Sequence, residues 1–196
     1  TLLARLGMAS EGVAPERCTG RVDTVYLLAL DVAQLPPSGR RLLEWAERER
    51  ESWLAEANQC TASALVLITD GSVEFYTGDQ DHLQAIRPQV RRLTEQTRDM
   101  PEFRGARVIE QTGPRALRRL MNFASGLWTD ARGAHRALVE LQHAATLARA
   151  RHTLCPTLAA LFHSAVLVGE RVAHESELHD SRLGDGARDL ELPTVE

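Results

Sequence analysis

Residues 62–77 read ASALVLITDGSVEFYT, and the fold turns on this stretch. Residues 62–69 are rich in β-formers, and residues 72–77 alternate apolar with polar side chains. Asp70-Gly71 lies between the two runs. Asp-Gly in that position is the strongest short hairpin signal, because a type I′ turn needs positive φ at both central residues. The stretch therefore predicts two antiparallel strands joined by a type I′ turn.

On the N-terminal side, residues 1–8 read as a short first strand, followed by a loop that ends at Pro15. Residues 24–32 are mostly apolar and read equally as strand or helix. Pro36-Pro37 breaks the chain, and Ser38 is a fair N-cap. Leu42, Ala46, Trp53 and Ala57 then recur at helical spacing, with Arg48, Glu49, Arg50 and Glu51 assigned to the opposite, charged face. On the C-terminal side, Leu83, Ile86, Val90 and Leu93 predict an amphipathic helix with Pro88 as a point of kinking. Residues 106–111 read as another strand. Thr112-Gly113-Pro114 starts a helix, with Pro at its first position. Leu117, Leu120, Met121, Ala124 and Leu127 form its inward stripe. Two more helices are expected, over residues 131–150 and 156–176. The order predicts an α+β fold: a small antiparallel β-sheet with packed helices, followed by a helical bundle. The domain is expected over residues 1–178, with an acidic, flexible tail over 179–196.

Composition narrows the function. A chain of 196 residues, 43% of them hydrophobic, suits one globular domain with a tail. No apolar run reaches the roughly 20 residues that span a bilayer, so no membrane partner is expected. The first residues, Thr1 to Arg5, lack the pattern of a signal peptide. Cys18, Cys60 and Cys155 form no CxxC pair and are odd in number, which argues for a reducing, cytoplasmic location. All 23 basic residues are Arg. A lysine Schiff base is thereby excluded, and any phosphate recognition uses the guanidinium fork. The formal charge of −4 is unevenly spread. Residues 175–196 hold seven acids against two Arg, whereas residues 86–151 hold thirteen Arg against six acids. The basic middle is either a solvated helix surface or a phosphate-binding one.

Four segments, in order, resemble the N-terminal catalytic domain of the glutamyl-tRNA reductase family. The opening strand and Ala-Pro loop correspond to residues 1–7 and Val13-Ala14-Pro15. The family's hairpin, Leu-Ser-Thr-Cys-Asn-Arg-Val-Glu-Phe-Tyr, corresponds to Leu67-Ile68-Thr69-Asp70-Gly71-Ser72-Val73-Glu74-Phe75-Tyr76. Its central helix, with His-Leu followed by Ala-Ser/Ala-Gly-Leu, corresponds to Arg119-Leu120 and Ala124-Ser125-Gly126-Leu127. Its last helix corresponds to Leu161-Phe162 through Val172.

In that family a cysteine thiolate attacks the ester of glutamyl-tRNA, and NADPH bound by a separate domain reduces the thioester. Here Asp70 stands in place of the cysteine, Gly71 of the asparagine, Ser72 of the arginine and Arg119 of the histidine. No Gly-x-Gly-x-x-Gly fingerprint is present. The resemblance therefore implies an aminoacyl-tRNA pocket without reductase chemistry and without a cofactor. It implies substrate contacts from Thr69, Gly71, Ser72, Glu74, Thr129 and Arg136. Arg115, Arg118 and Arg132 would contact tRNA phosphates, with Arg119 on the same helix face as Arg115 and Arg118. The expected partners are an aminoacyl-tRNA, glutamyl-tRNA among them, and a partner enzyme such as a true reductase.

An alternative keeps the pocket for aminoacyl transfer or ester hydrolysis. Asp70 would be its general base, and Arg119 would pair with it and stabilise the oxyanion. A third reading is a regulatory protein of tetrapyrrole metabolism that binds haem, resting on His152, His163 and His174 at eleven-residue spacing. No spacing suggests a metal site.

Overall fold

The computed structural model describes residues 25–32, 40–59, 63–78, 80–98, 106–127 and 131–186. The predicted first strand, the Ala-Pro loop, Cys18, Cys60, Thr129 and residues 187–196 lie outside them. Among the described residues, β1 (Tyr26–Asp31) is followed by α1 (Arg40–Gln59), β2 (Leu65–Ile68), β3 (Ser72–Thr77) and α2 (Gln80–Arg98). Then come β4 (Arg107–Thr112), α3 (Pro114–Ala124), α4 (Ala131–Ala150) and α5 (Pro156–Gly186). The last helix runs eight residues past 178, into the stretch expected as a tail.

The four strands lie in the order β2-β3-β1-β4, and every neighbouring pair is antiparallel. Thus β1-α1-β2 and β3-α2-β4 are two interleaved crossover units, each with one strand of the other between its own. Crossovers of this kind are overwhelmingly right-handed, which puts both helices on the same face. That face packs Leu28, Leu30, Val66, Val73 and Phe75 against Trp53 and Leu54 of α1 and Leu83 and Ile86 of α2. The opposite face packs Leu27, Ala29, Leu65, Leu67 and Tyr76 against α3, α4 and α5. The structure is therefore an α+β sheet whose strands β1, β2 and β3 are buried on both faces, while edge strand β4 is largely exposed. This resolves the ambiguity of residues 24–32. A central strand covered on both sides needs apolar residues at every position, so it carries no period of two.

The hairpin forms, but not with the expected turn. Neither Asp70 nor Gly71 has positive φ; among the described residues only His152, Gly113 and Gly126 do. The Asp70-Gly71 link is held by side-chain chemistry instead. The Gly71 N–H donates to Thr69 Oγ1 at 3.1 Å, and the Thr69 N–H donates to Ser72 O at 2.8 Å. Threonine closing a turn on the residue two places on is a recognised substitute for backbone pairing. Gly71 O accepts from the Val32 N–H at 2.7 Å, which fastens the turn to the end of β1.

Glycine is needed at the end of α3. Gly126 has φ 64° and donates to Phe123 O, while the Leu127 N–H reaches Asn122 O at 3.1 Å. These two bonds are the paired closure of a helix through a left-handed residue.

Arg50 overturns its assignment to a charged outer face. It falls on the buried stripe of α1 between Ala46 and Trp53, and it is 0% exposed. Its Nη2 donates to Glu47 Oε2 and Glu140 Oε1, each at 2.6 Å, and its Nη1 lies 3.2 Å from His143 Nδ1. Glu140 Oε1 also accepts the Ile68 N–H of edge strand β2 at 2.8 Å. One carboxylate on α4 thus pairs the buried cation of α1 and caps the sheet edge. Burial pushes the Glu140 carboxyl above its ordinary value, and the opposing pull of Arg50 does not fully offset it.

Two outcomes follow. Glu140→Ala leaves Glu47 as the remaining carboxylate on Arg50 and takes the acceptor from the Ile68 N–H, and should cost about 2 kcal/mol in urea unfolding. Because the folded-state pKa of Glu140 is raised, its contribution is complete below about pH 4.5 and is lost as pH rises through the folded value. Stability of the wild type should therefore decline relative to Glu140→Gln as pH rises above that point. A parallel pair of stability-against-pH curves would contradict this.

Candidate functional site

Alternation along β3 puts Ser72, Glu74 and Tyr76 on one face, beneath α3. Glu74 sits opposite Ala29 on one neighbouring strand and Leu67 on the other, at the middle of the sheet. It is 1% exposed. A carboxylate there must be paired or neutral. Glu74 is paired: Arg119 Nε and Ser72 Oγ both donate to its Oε1 at 2.7 Å, and the Tyr76 hydroxyl donates to its Oε2 at 2.7 Å. Burial, and then the Glu74 charge, push the Tyr76 phenol well above its ordinary value, so Tyr76 stays a donor. Thr69 Oγ1 lies 2.8 Å from Ser72 Oγ. A continuous polar line therefore runs from the hairpin tip to the buried carboxylate and out along Arg119, whose side chain is 14% exposed.

This arrangement joins four of the residues singled out from sequence: Thr69, Ser72, Glu74 and Arg119. Gly71 joins them through its backbone. Asp70 stands apart. Its side chain is 83% exposed, and its ion-pair partner is Arg136, also exposed, at a long 3.9 Å. The Asp70–Arg119 pair expected from sequence is not formed, because Arg119 is drawn inward by the larger need of the buried Glu74. For the same reason Arg119 leaves the surface formed by Arg115 and Arg118, both exposed on α3. Arg132 lies in α4. Of the three histidines at eleven-residue spacing, His152 and His174 are exposed and His163 is half-buried.

Tyr76 is the site residue that sequence reading missed. Its signal was the spacing of Ser72, Glu74 and Tyr76 at every second position, which puts all three on one sheet face. Among the described residues, no three His, Cys, Asp or Glu side chains are grouped to hold a metal ion. The described cysteine, Cys155, is buried in the core beneath α3 to α5. No described helix is long and apolar enough to cross a membrane.

Comparisons with known proteins bear on the family and the fold. The family model described as "Glutamyl-tRNAGlu reductase, N-terminal domain" matches residues 28–176, well over half of the chain. Among solved structures, the glutamyl-tRNA reductase from Methanopyrus kandleri matches with a TM-score of 0.52 and 20% identity. The match covers 78% of this chain and 35% of that one, so the chain spans about a third of that reductase. At this identity the likeness speaks for the fold. Comparison with curated proteins gave no match.

The pairing can be tested by a double-mutant cycle. Arg119→Met should destabilise by about 3 kcal/mol, since it leaves Glu74 buried and short of its cation. Adding Glu74→Gln should recover much of that loss, because the charge is then gone. Additive effects in urea unfolding would contradict the pairing.

Proposed function

The chain belongs to the glutamyl-tRNA reductase N-terminal domain family, and we propose that it binds the acceptor end of an aminoacyl-tRNA without reducing it. One observation carries the reading: the hairpin tip presents the exposed carboxylate of Asp70 where the family motif has a thiol. A carboxylate that attacked the ester would give a mixed anhydride, more activated than the ester it came from, so the acyl group would not accumulate on the protein. Cys155 cannot substitute, because it is buried in the core.

Thr69, Ser72 and Glu74 support the reading, because they tie the hairpin to Arg119 of α3. Arg115 and Arg118 on α3 and Arg136 on α4 are exposed and carry the charge that phosphates require. Arg132 of the same basic segment and Thr129, by correspondence with a family serine, complete the set. A partner enzyme, such as a reductase that accepts the same tRNA, fits the same role as a recipient.

A second reading is favoured by the exposure of Asp70. A solvated carboxylate at the tip can act as general base for an amine or water that attacks the ester directly. With Arg119 held by Glu74, Arg136 is the cation near that base.

Filter binding with charged and uncharged tRNA tests the proposal. Charged tRNA should bind more tightly, and Arg115→Gln and Arg118→Gln should each weaken binding and flatten its salt dependence by about one counterion. Equal binding of both tRNA forms, or no salt dependence, would contradict it. Release of the labelled amino acid on adding a small amine, abolished by Asp70→Ala, would select the second reading. Aldehyde formed with added nicotinamide cofactor would refute both.

A further inference from the structure

The two edges of the sheet differ. On β2 the outward amides of Ala64 and Ile68 are engaged: they donate to Thr153 O at 2.9 Å and to Glu140 Oε1 at 2.8 Å. On β4 the Gly113 N–H donates to Val25 O. Alternation therefore turns the backbone groups of Arg107, Ile109 and Gln111 toward β1, and those of Val108, Glu110 and Thr112 outward. Among the described residues, nothing bonds to that outer row. Val108 within it is an exposed apolar side chain. A free row of this kind is a template for another strand.

The side chains say which strand. Gln111 Oε1 is covered, yet it accepts no hydrogen bond among the described residues. Arg107, on the same face of β4, is exposed and has no carboxylate partner among them. Each has what the other lacks, but one extended strand cannot bring them together. An antiparallel second copy of β4 does. With a two-fold axis at Ile109, perpendicular to the sheet, Arg107 of either copy lies opposite Gln111 of the other. Val108 lies opposite Glu110, and each such pair exchanges backbone bonds in both directions. Ile109 meets its own copy at the close position on the axis. Other registers lose this match. An axis at Glu110 sets the two Glu110 carboxylates against each other, and an axis at Val108 sets Arg107 against Ile109. With the axis at Ile109, Glu110 keeps Arg87 of its own chain, at 2.9 Å.

We propose that β4 pairs antiparallel with β4 of a second copy of this chain, about an axis at Ile109, so that two four-stranded sheets become one. Gln111 turns its amide to the edge and accepts from Arg107 of the second copy. Pro114 opens α3 directly after β4, and a two-fold perpendicular to the sheet keeps both α3 helices on one face. Arg115 and Arg118 of the two copies then share a surface. The pairing does not depend on what that surface binds.

Sedimentation equilibrium of the full chain tests this from about 10 µM to 1 mM, the range suited to an interface as small as one strand pair. The weight-average mass should rise from that of one chain toward that of two. Over the same range, amide exchange at Val108 and Glu110 should slow about threefold or more. Val108→Pro removes an outward donor that the single chain does not use, so it should fold and stay at the mass of one chain. Arg107→Glu should weaken the dimer about fivefold, and adding Gln111→Arg, which puts opposite charges back across the axis, should recover it. If Val108→Pro does not fold, the charge exchange decides. The proposal is overturned if the mass stays at one chain throughout, or if a dimer forms without slower exchange at Val108 and Glu110. It is also overturned if Val108→Pro folds and still dimerises, or if the double variant is as weak as Arg107→Glu alone.

Discussion

A carboxylate placed at the centre of a sheet covered on both faces has few ways to exist. Removed from water and unpaired, its ionised form would cost several kcal/mol. Glu74 is in that position, and the structure around it is arranged to pair it. Its partners come from two directions. Ser72 and Tyr76 flank it on the same strand, so they are supplied by the register of β3 alone. Arg119 comes from α3, which must lie at one height and rotation over the sheet for its Nε to reach Oε1 at 2.7 Å. The ion pair thus sets where α3 sits. With α3 placed, Arg115 and Arg118 are carried to the outer surface, and the helix ends at Gly126 in a left-handed closure.

Arg50 is the mirror of this arrangement. It is a buried cation on the other helical layer, matched by Glu140 from α4 across the edge of β2. The two pairs differ in what they tie together. Glu74–Arg119 fixes a helix over the middle of the sheet, whereas Arg50–Glu140 joins α1 to α4 and caps an edge that would otherwise offer a free backbone donor. Buried ion pairs add little net stability over well-packed apolar residues. Their effect here is on arrangement: a helix that slid by one residue would strand a charge in the core, and apolar side chains impose no such penalty. The layers are therefore held in register by electrostatics and held together by the apolar clusters on both faces.

This division explains what could be read from the sequence. Local signals were legible because they arise from neighbours in the chain. The Asp70-Gly71 link, the start of α3 at Pro114 and the stripes of α1 and α2 are of this kind. β1 was not legible as a strand, since burial on both faces erases the alternation that marks one. The turn type was misread because Thr69, outside the Asp-Gly pair, supplies the hydrogen bond. Arg50 was assigned to the surface by its charge, although its place between Ala46 and Trp53 is on the apolar stripe. For a long side chain, position on the stripe decided the matter, because Glu47 and Glu140 were there to receive it. The partner of Arg119 was misassigned for the same reason. From sequence, Asp70 and Glu74 are both acidic neighbours of the motif, and only their depths differ.

That difference in depth bears on how chemistry and scaffold are separated at the hairpin. The side chain of Asp70 is 83% exposed, and its pairing with Arg136 at 3.9 Å lies in the range where exposed ion pairs contribute little. Among the described residues, no buried side chain pairs with it. The turn is closed by Thr69 and by the backbone of Gly71, so the side chain at position 70 can change with little consequence for folding. Ser72, Glu74, Tyr76 and Arg119 have no such freedom, because each holds a donor or acceptor that the others need. A substitution at the tip therefore acts on reactivity and leaves the pocket standing. For this reason the group presented at the tip can vary while the buried network and the fold stay as they are.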